Sequence, residues 1–457
     1  MRLRDRLVAV FVLLCVTALP ASGTALDDYV NKPDASYRYE VVRTLDGPGW
    51  KAYVIDMISQ TWRSEEEVDR TQWQHWLTVV VPEEAKYDTA MLWINGGSNG
   101  KPAPSNVDSM LAALAMGSNS VVADLKTVPN QPLKFPDGGR PRYEDGIIAY
   151  TFAKYVQTGD KTWPLLLPMV KSAVRAMDTI QNAVAKATDG GVKIEKFVVG
   201  GGSKRGWTTW LTGAVDKRVC GITPAVIDVL NMDEQMRHHF AAYGFYSSAI
   251  GDYEDMNIFG QLDTAPGQEL ISFVDPYEYR ERYTMPKFMV NSSGDQFFLP
   301  DSAQFYWKDL PPEKYIRYCP NTDHGLGGSD ADRSLLAFYK SILEDVERPV
   351  FSWRVTERGA IAVRTRTEPA AVKLWHATNP DARDFRLETI GKAWQSRELK
   401  PREEGRYVGR AKKPEKGFTA FFVELTFDSG FAVPYKFTTQ VKVVPDVLPF
   451  AEKLEQR

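Results

Sequence analysis

The chain has few of the residues from which metal sites and covalent scaffolds are built. Of its 457 residues three are cysteine and five are histidine, and no Cys/His cluster has zinc spacing. No metal and no cofactor is therefore expected. A disulfide scaffold is excluded as well, because Cys15 falls in the N-terminal segment discussed below and leaves only Cys220 and Cys319, which we expect as two buried thiols. Basic excess is also missing. Lys and Arg number 56 against 59 Asp and Glu, the net charge is -3, and no basic stripe marks a nucleic-acid surface. Long apolar runs are absent too: the run from Leu7 to Leu19 is shorter than the roughly 20 residues that span a bilayer. The sequence carries no internal repeat and no low-complexity segment.

What is present starts with an address. Arg2, Arg4 and Arg6 precede that apolar run, and Pro20-Ala21-Ser22-Gly23 follows it, so residues 1–23 read as a cleaved secretory signal peptide. Cleavage would remove three arginines and Asp5, taking the net charge from -3 to -5. The expected product is secreted or periplasmic, with no stable membrane insertion after cleavage.

Residues 24–348 then alternate strands with helices. Tyr37 to Leu45, Trp50 to Trp62 and Trp76 to Val81 are β-rich and are expected to form an antiparallel edge. Ala90 to Ile94 is a short, continuous apolar run of the kind that strands buried on both faces show, Ser120 to Leu125 reads as another buried strand, and Phe197 to Val199, Gly221 to Val229, Lys287 to Asn291 and Tyr315 to Tyr318 read as further strands. Helices are expected between them: Val107 to Met116, Asp145 to Val156, Trp163 to Ala187, a helix after Ser203, Ser302 to Lys308, and Asp330 to Leu343. That alternation implies parallel crossovers and a doubly wound, mostly parallel α/β sheet. Residues 231–285 break the rhythm and read as a helical lid insertion. From Pro349 the pattern changes to period two between polar turns, so 349–457 is expected to hold an antiparallel β-sandwich domain and a tail.

The central stretch is Phe197-Val198-Val199-Gly200-Gly201-Gly202-Ser203-Lys204-Arg205-Gly206-Trp207. A strand, a glycine-rich turn and a helix with serine at the apex is the layout of a nucleophile elbow, in which small neighbours let the backbone turn sharply and leave the hydroxyl exposed. Gly201 stands two residues before Ser203; two residues after it stands Arg205, where glycine is usual, and Gly206 follows. A serine hydroxyl needs a base, and the base needs a carboxylate to hold its tautomer. In doubly wound hydrolases these follow in the order serine, acid, histidine, at the carboxyl ends of strands. His324 is the histidine that ends a strand downstream of Ser203; His376 falls in a sandwich strand, and His238 and His239 fall in the insertion. Asp295 follows the preceding strand. Its rivals are Asp301, read as a cap of the next helix, and Asp228, after an earlier strand. The expected oxyanion donors are the amide of Lys204 and that of Gly97, in the loop Asn95-Gly96-Gly97-Ser98-Asn99-Gly100. Trp207, Arg205, His238 and Asp252 are expected to face the substrate.

The residues Gly200 to Trp210, together with Ile94 to Gly100, resemble the PhoPQ-activated pathogenicity-related protein family of the α/β-hydrolase superfamily, and the elbow is similar to the G-x-S-R-x-G elbow of glucuronoyl esterases. The family resemblance implies an exported bacterial protein linked to virulence and to resistance against cationic antimicrobial peptides. The expected activity is that of a serine hydrolase acting on an ester or amide in a small-molecule or peptide substrate. A prolyl-oligopeptidase-type peptidase acting on cationic peptides and a non-catalytic binding or signalling protein on the same scaffold are the alternatives.

Overall fold

The computed structural model describes residues 23–137 and 139–454. The expected signal peptide, Gly23 apart, lies outside the described residues.

Nine strands form one sheet: β1 (Arg38–Gly47), β2 (Trp50–Thr61), β3 (Gln72–Pro82), β4 (Thr89–Ile94), β5 (Val122–Leu125), β6 (Lys196–Gly202), β7 (Val219–Ala225), β8 (Lys287–Ser292) and β9 (Lys314–Cys319). Their order is β1-β2-β3-β5-β4-β6-β7-β8-β9. The first three strands and the β3–β5 pair are antiparallel, and every pair from β5 onward is parallel. This is an α/β-hydrolase sheet with an antiparallel edge. The edge strand β1 is largely exposed and carries Arg38, Glu40, Arg43 and Asp46, charges that discourage pairing with another chain.

Side chains of a strand alternate between faces, and the sheet uses both. Ala90, Leu92 and Ile94 of β4, with Phe197 and Val199 of β6, enter one apolar cluster; Met91 and Val198 enter another. The first cluster takes α1 (Ala25–Asn31), α3 (Glu144–Thr158), α4 (Leu166–Ala187) and α5 (Lys204–Val215); the second takes α2 (Ser109–Ser118) and Tyr339 of the helix that follows β9. Leu92 and Val199 are wholly buried, and each such side chain contributes about 1.5–3 kcal/mol.

Between β7 and β8 lie α6 (Met232–Tyr243), α7 (Gly251–Asp255), α8 (Ala265–Val274) and three 3-10 turns; α9 (Ala331–Leu343) follows β9. The helix expected over Ser302 to Lys308 is instead two 3-10 turns, Ser302–Phe305 and Trp307–Asp309. They break at Tyr306 (φ -139°), whose buried hydroxyl is bound by Asp228, so a tertiary contact overrides local helical pattern.

The C-terminal region forms antiparallel sheets, as its period-two pattern implies. One pairs β10 (Phe351–Val355), β11 (Ile361–Thr365) and β14 (Arg406–Gly409). The other orders β13 (Gln395–Glu398), β12 (Ala371–Asn379), β15 (Phe418–Phe427) and β16 (Tyr435–Thr438), with β17 (Lys442–Val444) also on β15; two single turns, α10 (Leu387–Ile390) and α11 (Ala451–Leu454), flank them. Their apolar side merges with the main sheet: Phe288, Tyr315 and Phe338 pack with Phe421, Val423 and Phe437, and the Tyr318 amide donates to Thr438 Oγ1 at 3.0 Å. Cys220, near the start of β7, and Cys319, at the end of β9, are both free; Cys319 is buried and Cys220 half-buried.

Candidate active site

Strand β6 delivers Ser203 to the carboxyl end of the sheet, and α5 starts at the next residue. Ser203 sits at φ 57° and ψ -130°, a backbone conformation that non-glycine residues rarely adopt and that persists only when its surroundings enforce it. Here they do. A Cβ on Gly201 would lie 2.8 Å from the Arg205 carbonyl oxygen, and one on Gly206 would lie 2.7 Å from Ile227 Cγ2 and 2.9 Å from the Gly201 carbonyl oxygen. Gly206 thus supplies the close approach that a glycine two residues after the serine would otherwise give. The amide of Lys204, in the first turn of α5, has no acceptor within the helix and lies at its positive end.

Arg205 is free to point away from the turn. Its Nε donates to the Val128 carbonyl at 2.6 Å and its Nη2 to Glu144 Oε1 at 2.7 Å. The Lys204 ammonium, 7% exposed, lies 2.9 Å from Glu144 and 3.0 Å from Asp145. Glu144 also donates its amide to Gln131 Oε1 at 2.8 Å, and Gln131 Nε2 returns a bond to Glu144 Oε1 at 2.6 Å and donates to the Gly97 carbonyl at 2.9 Å. One carboxylate therefore ties the Ser203 turn to the Gly97 loop. Burial pushes Glu144 up, but the Arg205 hydrogen bond and the charges of Lys204 and Arg205 outweigh it and hold it down to about 2.

Asp295 and His324 come from the loops after β8 and β9. His324 Nδ1 lies 2.8 Å from Asp295 Oδ2 and 3.0 Å from Oδ1. Asp295 Oδ1 accepts the Phe297 amide at 2.7 Å, and the His324 amide donates to Gln296 Oε1 at 3.1 Å. The imidazole packs on Phe297, centroids 4.3 Å apart, so its orientation is fixed from two sides. His324 Nε2 is buried and has no hydrogen-bond partner among the described residues. The structure thus joins histidine to aspartate but forms no Ser203–His324 hydrogen bond. Such bonds are often long without substrate and tighten in its complex.

Ser203 opens on a cavity of about 50 Å³ bounded also by Trp207, Phe297 and Phe298 and by residues of the insertion, among them Met236, Tyr253 and Ile258. Of the residues expected to face substrate, Trp207 does line it, with Nε1 bonded to the Val274 carbonyl at 2.6 Å. Arg205 is held as described. His238 is buried, its Nε2 3.0 Å from Asp301 Oδ1 and its ring on Phe305. Asp252 is exposed on α7; burial, then Asp145 and Asp255, raise its carboxyl. Its neighbour Tyr253 reaches the cavity instead and donates to Asp145 Oδ1 at 2.9 Å.

The rival acids have other partners. Asp228 accepts from the hydroxyls of Tyr306 and, at 2.6 Å, Tyr318, and burial pushes it up to about 7. Asp301 caps no helix through its side chain; it receives Arg383 Nη2 at 2.6 Å as well as His238. The insertion is braced within itself, where the Met232 amide donates to Asp275 Oδ2 at 2.6 Å, and from outside, where the Phe450 amide donates to the Ala241 carbonyl at 2.9 Å. Glu144, Gln131 and Phe297 escaped sequence reasoning. Only the acidic pair Glu144-Asp145 at a helix start left a local signal, and it points to the helix rather than to Ser203.

The family model for PhoPQ-activated pathogenicity-related protein matches residues 26–386. The chain belongs to that family. It is also 37% identical over 472 residues to autocrine proliferation repressor protein A of Dictyostelium discoideum, covering 96% of this chain and 94% of that one. Among solved structures, acetyl xylan esterase from Paenibacillus sp. R4 superimposes with a TM-score of 0.50 at 13% identity, over 70% of this chain and 92% of that one. That likeness identifies the fold of this family member as α/β-hydrolase. Among the described residues no helix is long and apolar enough to cross a membrane.

Proposed function

We propose that this member of the pathogenicity-related family is an exported serine hydrolase that cleaves an ester or amide bond. The observation that supports it best is the imidazole of His324, held by Asp295 through Nδ1, left with a buried Nε2 that has no partner among the described residues, and packed on Phe297, which with Ser203 lines the cavity. In this reading Ser203 Oγ attacks the substrate carbonyl carbon while His324 Nε2 takes its proton, and the Lys204 and Gly97 amides stabilise the oxyanion. The bond to the leaving alcohol or amine breaks as His324 returns the proton to it. Water, deprotonated by the same imidazole, then opens the acyl-serine and releases the acid. Export rests on the N-terminal pattern, and a link to virulence and antimicrobial-peptide resistance on family membership.

A fluorophosphonate probe is the direct test. It should label the folded protein once, at the peptide containing Ser203, and pre-treatment should block ester hydrolysis. A protein that stays unlabelled is a binding or signalling protein on a hydrolase scaffold.

In the same reading Glu144 is a positioning residue. Glu144→Gln leaves the Lys204 ammonium with only Asp145 and loosens the tie to the Gly97 loop, so kcat should fall about tenfold to a hundredfold with KM changed less than about threefold. A KM effect alone would mean that Glu144 meets the substrate directly. Because the folded carboxyl is depressed from 4.5 to about 2, its contribution to stability is present above about pH 4.5 and is lost as pH falls toward 2.

A further inference from the structure

We infer that the cavity beside Ser203 is an acyl pocket for a small apolar group, so that the substrates are esters or amides whose acyl part has about two to four carbons. This deepens the hydrolase reading and rests on it.

Two observations and one chemical argument support the inference. The first is chemical: the walls are almost wholly hydrocarbon, formed by Trp207, Ile227, Val229, Met236, Ile258 and Leu262. The charged groups at the edge, Lys204 and Asp145, are paired with each other at 3.0 Å, and Asp145 also holds the Tyr253 hydroxyl. Apart from the Ser203 hydroxyl, none of the described residues lining it offers an unpaired partner to a sugar hydroxyl, a phosphate or a charged side chain.

The second is volume. The cavity measures about 50 Å³, whereas an apolar cavity that takes up benzene measures about 150 Å³. One third of that room suits about two carbons beyond the carbonyl.

The third is direction. The leaving group must reach His324 Nε2 to receive its proton, so it lies toward the imidazole rather than within the hydrocarbon walls. The group retained on Ser203 through the acyl-serine stage carries no charge and needs no hydrogen bond, which fits a dry wall.

The test uses the full chain and p-nitrophenyl esters from acetate to decanoate, with fluorophosphonate labelling run in parallel. We expect kcat/KM to peak between acetate and butyrate and to drop at least a hundredfold by octanoate. Met236→Ala, and independently Ile258→Ala if the first fails to fold, should enlarge the pocket and move the optimum to longer chains by about two carbons. A profile that is flat or rises with length in a labelled protein overturns the acyl pocket while leaving the hydrolase reading standing, and so does labelling without turnover of any short ester. Loss of labelling itself strikes the hydrolase reading, and the pocket assignment falls with it.

Discussion

Asp295→Asn should lower kcat for any ester substrate by about 10⁴-fold and slow fluorophosphonate labelling of Ser203 in parallel, with the folded structure intact. In the proposed triad the imidazole donates its Nδ1 proton to Asp295, 2.8 Å away, which leaves Nε2 with its lone pair free for the serine proton. An asparagine that turns its amide nitrogen toward Nδ1 selects the other tautomer, and Nε2 then carries a hydrogen and cannot act as a base. Its amide oxygen still suits the Phe297 amide, so the loop has no reason to unfold. Paired kinetics and thermal melts check this. A loss below tenfold would remove Asp295 from the proposed triad. Neither rival could replace it without first leaving its own partners, two tyrosines for Asp228 and Arg383 with His238 for Asp301.

Asp301→Ala should act on stability and on how α6 is held, and leave the proton transfers at Ser203 unchanged. Burial alone would raise this carboxyl, yet the charges of Arg383 and His238 hold it well below the usual carboxylate range. Arg383 is 3% exposed, so removing the aspartate leaves a buried cation without its counter-charge, at about 3–5 kcal/mol. With roughly 2–4 °C lost per kcal/mol in a large domain, Tm should drop by about 6 °C or more. Replacing Arg383 by methionine in the same protein should restore most of the loss. A drop confined to about 1 °C would show that water already solvates the pair. The pH dependence has a fixed sign: a depressed carboxyl stabilises the fold above its ordinary value of 3.8, and the contribution disappears as pH falls through the folded value.

Asp301 also shows where sequence reading stops. Its neighbours, Pro300 before it and Ser302-Ala303-Gln304-Phe305 after it, read as a helix start, and nothing local announces Arg383, 82 residues away. By contrast β4 and β6 were legible because strands buried on both faces need unbroken apolar runs, and the Ser203 turn because its glycines answer a local steric demand. Asp295 and His324 could be named from chain order once the strands were placed. Glu144 could not: it reaches Lys204 and Arg205 across the fold, through contacts that no spacing encodes.

The fastening of α6 bears on how a substrate arrives. From outside the insertion that helix is held at His238 by Asp301 with Arg383 and at Ala241 by Phe450, partners drawn from well-separated parts of the chain, while Asp275, which holds Met232, belongs to the insertion itself. A cover hinged at one end opens by bending there, but a cover bolted along its length by separate pieces has no hinge line. On the proposed reading the cover over Ser203 is then a fixed sieve, whose discrimination lies in the width of its opening rather than in the timing of a gate. The Asp301→Ala protein, with one bolt withdrawn, should accept longer acyl chains than its parent.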